Sequence, residues 1–321
     1  MGGRRRRCGS ARPGGGRGLS RRAAVTEARS YYGRPLLKGP VWEPDIAAYL
    51  FTGGLAGASA TLAAAARRRG NDVLARRALM VALAGLIVSP PLLIRDLGRP
   101  ARFHHMLRVL KVTSPMSVGT WVLSASGLAT GVATGCEVLG VMPRLRTATE
   151  TAAGALGPAL ATYTAVLIAD TAVPAWHEAR FELPFVFAAS SAASAGAAAA
   201  LVTPAASARP ARRLCAMGAL VELAATGVME RRLGEAGQPY STGGNAVSRR
   251  LARGLTAAGA LAMTLTGRRR PAAILGGLSV LAGAACLRWT VFAAGAHSVR
   301  DPAYAVGPQR ARIERGESRG G

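Results

Sequence analysis

The sequence predicts an all-α membrane protein, a bundle of about eight transmembrane helices. Three observations carry that expectation. Apolar runs close to the roughly 20 residues needed to cross a bilayer recur along the 321-residue chain. Half of the residues are hydrophobic but only 5% are aromatic, so the apolar mass is Ala, Leu, Val and Gly. Small residues of this kind let membrane helices approach closely. The formal charge is +25, mostly arginine, and the arginines gather between the apolar runs and in both tails. Nucleic-acid binding is the other reading of such basicity. It is set aside because the arginines flank hydrophobic spans and no recognition fold surrounds them.

Taken in order, residues 1–38 form a Gly- and Arg-rich basic tail, expected to be disordered. The tail has no apolar h-region, so it does not read as a cleaved signal peptide. Residues 39–297 form the helical membrane domain, and residues 298–321 a second basic tail. From Ser30 the composition changes to an ordered lead-in, with Pro40, Trp42 and Pro44 at an interface and Asp45 near a helix start. Eight spans follow, at 46–66, 77–94, 117–139, 149–170, 183–203, 213–230, 251–267 and 271–292, the seventh the weakest. An even number of spans puts both termini on one side, side A, with the loops at 95–115, 171–182 and 231–250. The shorter loops at 67–76, 140–148, 204–212 and 268–270 lie on side B, which reads as rich in arginine and poor in acids. Arginines crowd both sides, so the positive-inside rule gives no orientation.

The stretch 89–127 concentrates the chemistry. An apolar run ends in Arg95 and Asp96, and a charged bridge follows before the next run. Gly98 can take a positive φ, Pro100 can open a helix, and Arg99 can hold an acid or a headgroup. Residues 102–111 read as an interfacial amphipathic turn, with Phe103, Met106, Leu107 and Leu110 on one face and Arg108 and Lys111 on the other. All four histidines (His104, His105, His177 and His297) fall on side A, as do Asp45, Asp96, Asp170, Glu178, Glu182 and Asp301. Taken singly, an acid at a helix end is usually a cap or half of an ion pair. Clustered beside apolar spans, such groups can exchange protons near neutral pH. Glu222 is the one carboxylate near mid-span, and it calls either for an interhelical hydrogen bond or for a proton relay. No histidine lies mid-span, which argues against haem. The cysteines Cys8, Cys136, Cys215 and Cys286 are too dispersed for a cluster or a structural zinc. Met80, Met116, Met217, Met229 and Met263 read as packing.

Three motifs then stand together: YYGRPLLKGPVWEPDIAAYLFTGGLAGASA at 31–60, LLIRDLGRPARFHHMLRVLKVTSPMSVGTWVL at 92–123, and YTAVLIADTAVPAWHEARFELPFVF at 163–187. They resemble the NrfD / polysulfide-reductase membrane-subunit family, from about residue 30 onward and more weakly after 204. The resemblance implies a haem-free and metal-free eight-helix anchor in a prokaryotic plasma membrane. It also implies an iron–sulfur, ferredoxin-like partner, a molybdopterin catalytic subunit beyond it, and a bound quinone (menaquinone or ubiquinone). Formate dehydrogenase-like, polysulfide or thiosulfate reductase-like and nitrite reductase-like complexes all fit. Asp96 and Asp45 match the family's motif acids and His177 its AVPAWHEAR-like stretch, so these three would sit by the quinone or the subunit interface. Pro44 departs from the pattern. Reading the residues themselves adds Asp170, His104, His105 and Glu222 as proton candidates, and Arg95, Arg99 and Glu178 as groups that position the loop or a subunit. A secondary transporter would favour broken helices with polar groups at the midplane of both halves, and only Glu222 fits. A purely structural anchor would need no proton-exchanging groups.

Overall fold

In the computed structural model the described residues are 42, 44–97, 99–265, 269–301, 304 and 306. All of them belong to the second of two units into which the chain divides, 35–321. The expectations for residues 1–38, including Pro40 and Cys8, for Gly98 and for most of the C-terminal tail fall outside the described residues. Eight long helices cover the membrane domain: α1 Asp45–Arg68, α2 Asp72–Arg95, α3 Pro115–Leu139, α4 Pro143–Ala169, α6 Leu183–Val202, α7 Arg209–Leu233, α8 Gly243–Leu265 and α9 Arg270–Arg300. A one-turn helix, α5 Pro174–Glu178, and two 3-10 segments, Pro100–Leu107 and Gly234–Tyr240, lie between them. Six of the eight are long and apolar enough to cross a membrane: α1, α2, α3, α4, α6 and α9. The other two carry more charge, α7 at its ends through Arg209, Arg212, Arg213, Arg231 and Arg232, and α8 in its first half through Arg249, Arg250 and Arg253. They complete the bundle by packing on apolar neighbours, α7 on α6 and α8 on α9.

Local signals explain the ends. Asp45 opens α1 and Arg67 and Arg68 close it, each matching the helix dipole. The Asn71 side chain caps α2 by accepting from Leu74 N–H at 3.1 Å. Gly140, at φ +68°, ends α3 in the left-handed conformation favoured for helix stops. Pro90 and Pro91 sit inside α2, which continues through them to Arg95. The last helix runs eight residues beyond the apolar stretch that marks it, because residues 293–300 still pack: Ala294, Gly295, Ser298 and Val299 are buried.

Small residues set the interhelix distances. A Cβ at Gly57 would lie 2.5 Å from the Gly157 carbonyl, and one at Gly157 would lie 2.3 Å from the Gly57 carbonyl, so α1 and α4 meet backbone to backbone. Thr61 adds a hydrogen bond to the Gly154 carbonyl across the same contact. Gly218 on α7 is pressed equally close to the backbone at Ala193 on α6, and Gly259 on α8 to Gly276 on α9. Close backbone approach without bulky knobs is how a bundle this poor in aromatics reaches tight packing.

Loop contacts respect the alternation of sides. On side B, Arg67 bridges Asp72, Glu137 and Glu150 at 2.9, 2.9 and 3.1 Å, and Arg146 also pairs with Glu137. This corrects the view of side B as poor in acids. Asp72, Glu137 and Glu150 come from three different helices, and Glu150 is 2% exposed, so scattered acids become one partly buried network. On the same side the Asn71 amide donates to the Ser207 carbonyl, and Arg270 to those of Leu201 and Thr203. On side A, Arg95 pairs with Asp45 and Arg232 with Glu182.

Candidate functional site

Polar groups descend from side A along one face of α1. Asp45, Tyr49 and Thr52 follow at i, i+4 and i+7, the spacing that stacks side chains on one helix face. Asp45 Oδ2 and Arg95 Nε form an ion pair at 3.2 Å. Arg95 is largely exposed, so this pair orients more than it stabilises. One turn deeper, the fully buried Tyr49 hydroxyl donates to that of Tyr163 on α4 at 3.4 Å. The Tyr163 ring lies where a Cβ on Gly119 of α3 would be, 1.8 Å away, so only glycine fits there. Thr52 and Ser89 share a 2.9 Å hydrogen bond, and Ser89 also donates to the Gly85 carbonyl. Asp96 caps the C-terminal end of α2 and is half-buried beside this entrance.

The short helix α5 is clamped against α9, α4 and the 3-10 segment at Gly234–Tyr240. Trp176 is completely buried, donates from Nε1 to the Val291 carbonyl at 2.7 Å, and stacks on Trp42 with centroids 5.6 Å apart. A Cβ at Gly295 would fall 2.0 Å from its ring, so α9 is glycine where the indole enters. The Ala175 N–H donates to Ser298 Oγ, and the Tyr240 hydroxyl donates to the Ala175 carbonyl at 3.0 Å. Burial pushes the Tyr240 hydroxyl above the ordinary phenol range, so it stays a donor. His177 is thereby presented half-buried on a fixed turn, with Arg180 donating to its carbonyl. Glu178 takes part through its backbone carbonyl, which accepts from Arg232.

The bridge between α2 and α3 differs from its expected form. Its helix is 3-10 and ends at Leu107, so the amphipathic turn does not reach Lys111. Ser117 Oγ accepts from Lys111 N–H and donates to the Val109 carbonyl, and these bonds hold residues 109–111 out of helix. Its apolar residues are partly uncovered: Phe103 is 44% exposed and Leu110 54%, while Met106 and Leu107 are half-buried. His104 and His105 are exposed with rings 4.3 Å apart, and Arg99 and Asp170 are exposed. The methionines divide, with Met229 and Met263 buried in the core but Met217 66% exposed.

A second polar site lies inside the bundle. Glu222 on α7 is 2% exposed, and its Oε1 accepts from Thr256 of α8 at 3.1 Å. Oε2 accepts no hydrogen bond among the described residues. The facing cation is Arg288, midway along α9 and 1% exposed. Arg288 donates to the Leu50 and Phe187 carbonyls and to Ser191 Oγ at 3.3, 3.0 and 3.2 Å, and lies over the Phe187 ring. A small cavity runs from Glu222 past Thr226, Thr290 and Tyr240 to Glu230, which Arg249 and Arg253 bind on side A.

The structure thus brings together Asp45 and Arg95, and sets Glu222 against Arg288. Asp170, His104 and His105 stay at the surface. Tyr49, Tyr163 and Arg288 are not among the candidates named from the sequence. Arg288 did carry a signal, as an arginine within the eighth apolar run, and the Asp45, Tyr49, Thr52 spacing was another. Among the described residues no group of three or more His, Cys, Asp or Glu could hold a metal ion. The family model described as polysulphide reductase, NrfD, matches residues 36–234, more than half of the chain. That span includes every side-A group named here up to Arg232, and Glu222, but not Arg288. No curated protein matches the chain.

Proposed function

Because the chain belongs to the NrfD family of polysulphide reductase membrane subunits, we propose that it is the anchor through which an oxidoreductase complex exchanges electrons with the quinone pool. The chain is a multi-pass membrane subunit of an oxidoreductase complex. In this proposal a ferredoxin-like iron–sulfur partner docks on side A, joined to a molybdopterin subunit, and a quinone binds beside Asp45, Asp96 and His177. The partly uncovered face of the 99–114 bridge, with Phe103 and Leu110 exposed, suits the partner.

Bound quinone supplies two-electron, two-proton chemistry. The donor set suits such a group: an acid with its guanidinium, a neighbouring acid, an imidazole on a rigid turn, and two buried phenols. Asp45 and Asp96 hold and release protons at their carboxylate oxygens, and Arg95 orients Asp45. The Tyr49 and Tyr163 hydroxyls relay protons inward. Exposed His104, His105 and Asp170 exchange them with water, and Glu222 stores one deeper in the bundle. The observation that carries this reading is the row Asp45, Tyr49, Thr52 with Tyr163. Aligned ionisable and hydroxyl groups inside a membrane bundle are costly, and they usually mark a proton or substrate path.

The test uses the assembled complex carrying Asp96→Asn or Tyr163→Phe. Quinone-linked turnover should fall on the order of 100-fold, the usual contribution of a positioned proton donor, while the catalytic subunit still reduces a soluble dye. Normal quinone turnover at full assembly in both variants would overturn the reading. A structural anchor would instead lose quinone turnover only in proportion to lost assembly.

A further inference from the structure

Side B holds a cavity that the quinone reading does not use. It lies between α1, α4, α6 and α7, encloses about 520 Å³, and is walled by small or apolar side chains, among them Ala58, Ala65, Ala188, Ala192 and Met217. Arg69 and Arg213 are part of the same lining. Both are exposed, and among the described residues neither pairs with a carboxylate. The side-B acids Asp72, Glu137 and Glu150 are instead engaged by Arg67 and Arg146. Arg213 and Met217 also border a second recess of about 500 Å³, which Arg209 and Arg212 line. The N-terminus of α7 opens on this side without a side-chain cap, since Ala208 precedes it.

We propose that this groove binds an anionic phospholipid, with one acyl chain between α1, α4, α6 and α7 and the phosphate on Arg69 and Arg213. Depth is the first argument. From Arg69 to Ala58 the groove follows eleven residues of α1 or its cap, about 16 Å at 1.5 Å per residue. That is close to half of the roughly 30 Å hydrocarbon thickness, so the groove is one leaflet deep. Charge is the second. Two guanidiniums without carboxylate partners stand where a headgroup would lie, and guanidinium matches phosphate oxygens bidentately. The uncapped α7 N-terminus adds positive potential of the same sign. Shape is the third, because alanines on α1 and α6 leave a slot rather than a packed seam. A quinone tail would also fit the apolar wall, but its uncharged carbonyls offer the two arginines weaker acceptors than a phosphate, with no charge to neutralise.

The full chain in mild detergent is titrated with phosphatidylglycerol and phosphatidylcholine of identical acyl chains, and retained lipid is counted by native mass spectrometry. Phosphatidylglycerol should be retained preferentially. Each of Arg69→Gln and Arg213→Gln should weaken that retention roughly fivefold, and the pair about 25-fold, the effect of about 1 kcal/mol per interfacial charge. Ala192→Leu, which fills the slot without touching charge, should also reduce retention. Arg68→Gln with Arg76→Gln removes two exposed charges from the same side but outside the lining, and should leave retention unchanged. Equal retention of the two lipids would overturn the proposal, and so would an equal loss in the Arg68/Arg76 pair, which indicates diffuse attraction. Displacement of phosphatidylglycerol by an equimolar quinone would reassign the groove to the quinone tail and likewise overturn it. If the arginine variants do not fold, Ala192→Leu alone decides, with unchanged retention counting against the proposal.

Discussion

Replacing Arg288 by Leu should destabilise the bundle by about 3–4 kcal/mol. The figure follows from what the guanidinium does. Its bonds to the Leu50 and Phe187 carbonyls fall on α1 and α6, whose carbonyls keep their own helix partners when it leaves. Ser191 Oγ loses a charged donor, worth about 1 kcal/mol after its alternatives are counted. The larger share is electrostatic. Arg288 and Glu222 make no ion pair within 4.0 Å, so at an effective dielectric of about 20 the attraction on an ionised Glu222 stays below about 4 kcal/mol. Glu222→Gln loses the same attraction but keeps the Thr256 bond, and Arg288 keeps its bonds to Leu50, Phe187 and Ser191, so it should cost less than Arg288→Leu. The double variant should therefore be more stable than Arg288→Leu alone, with a coupling energy of about 2–3 kcal/mol. Detergent-induced unfolding in mixed micelles, followed by the fluorescence of neighbouring Trp289, measures each variant. A cost for Arg288→Leu below about 0.5 kcal/mol, or additive effects in the double variant, would refute the coupling.

Arg67→Ala should cost about 3–5 kcal/mol in the same assay, because it strands the buried Glu150 and the nearly buried Glu137. Adding Glu150→Gln should recover part of that loss. Gly295→Ala places a methyl inside the Trp176 ring and should cost about 1–3 kcal/mol by overpacking, read as a lower melting temperature. Tyr240 has its hydroxyl pKa raised from 10.0 by burial, so the folded state favours the protonated phenol. That contribution is complete below pH 10 and fades above it as the unfolded chain ionises, and Tyr240→Phe should flatten the alkaline decline measured by unfolding against pH. Cysteines introduced at Arg76 and Arg231, both exposed, should label from opposite membrane faces, and labelling from one face would refute the eight-span topology.

Much of this protein was legible from the chain alone. Span positions come through because membrane crossing is a local property, a requirement on length and apolarity that each segment meets by itself. Each expected span corresponds to a long helix, and Asp45, Pro143 and Gly140 mark ends by conformational rules that act within a few residues. Arg95 and Asp45 could be named as candidates because both stand at span ends on one side.

Partnership was decided by tertiary structure. Arg67 gathers acids from α2, α3 and α4, and Arg288 reaches carbonyls on α1 and α6. Such pairs depend on helix rotation and neighbour order, which local spacing does not encode. Tyr49 finds Tyr163 across 114 residues, and it does so because glycine at position 119 leaves room for the ring. The one-turn helix α5 is too short to signal itself by periodicity, and is held by Trp176, Ser298 and Tyr240 from outside. Sequence could say which segments enter the bilayer, since water and lipid sort residues one at a time. Which buried charge meets which was settled only when eight helices packed, because the cost of an unpaired charge is met by whichever neighbour geometry brings near.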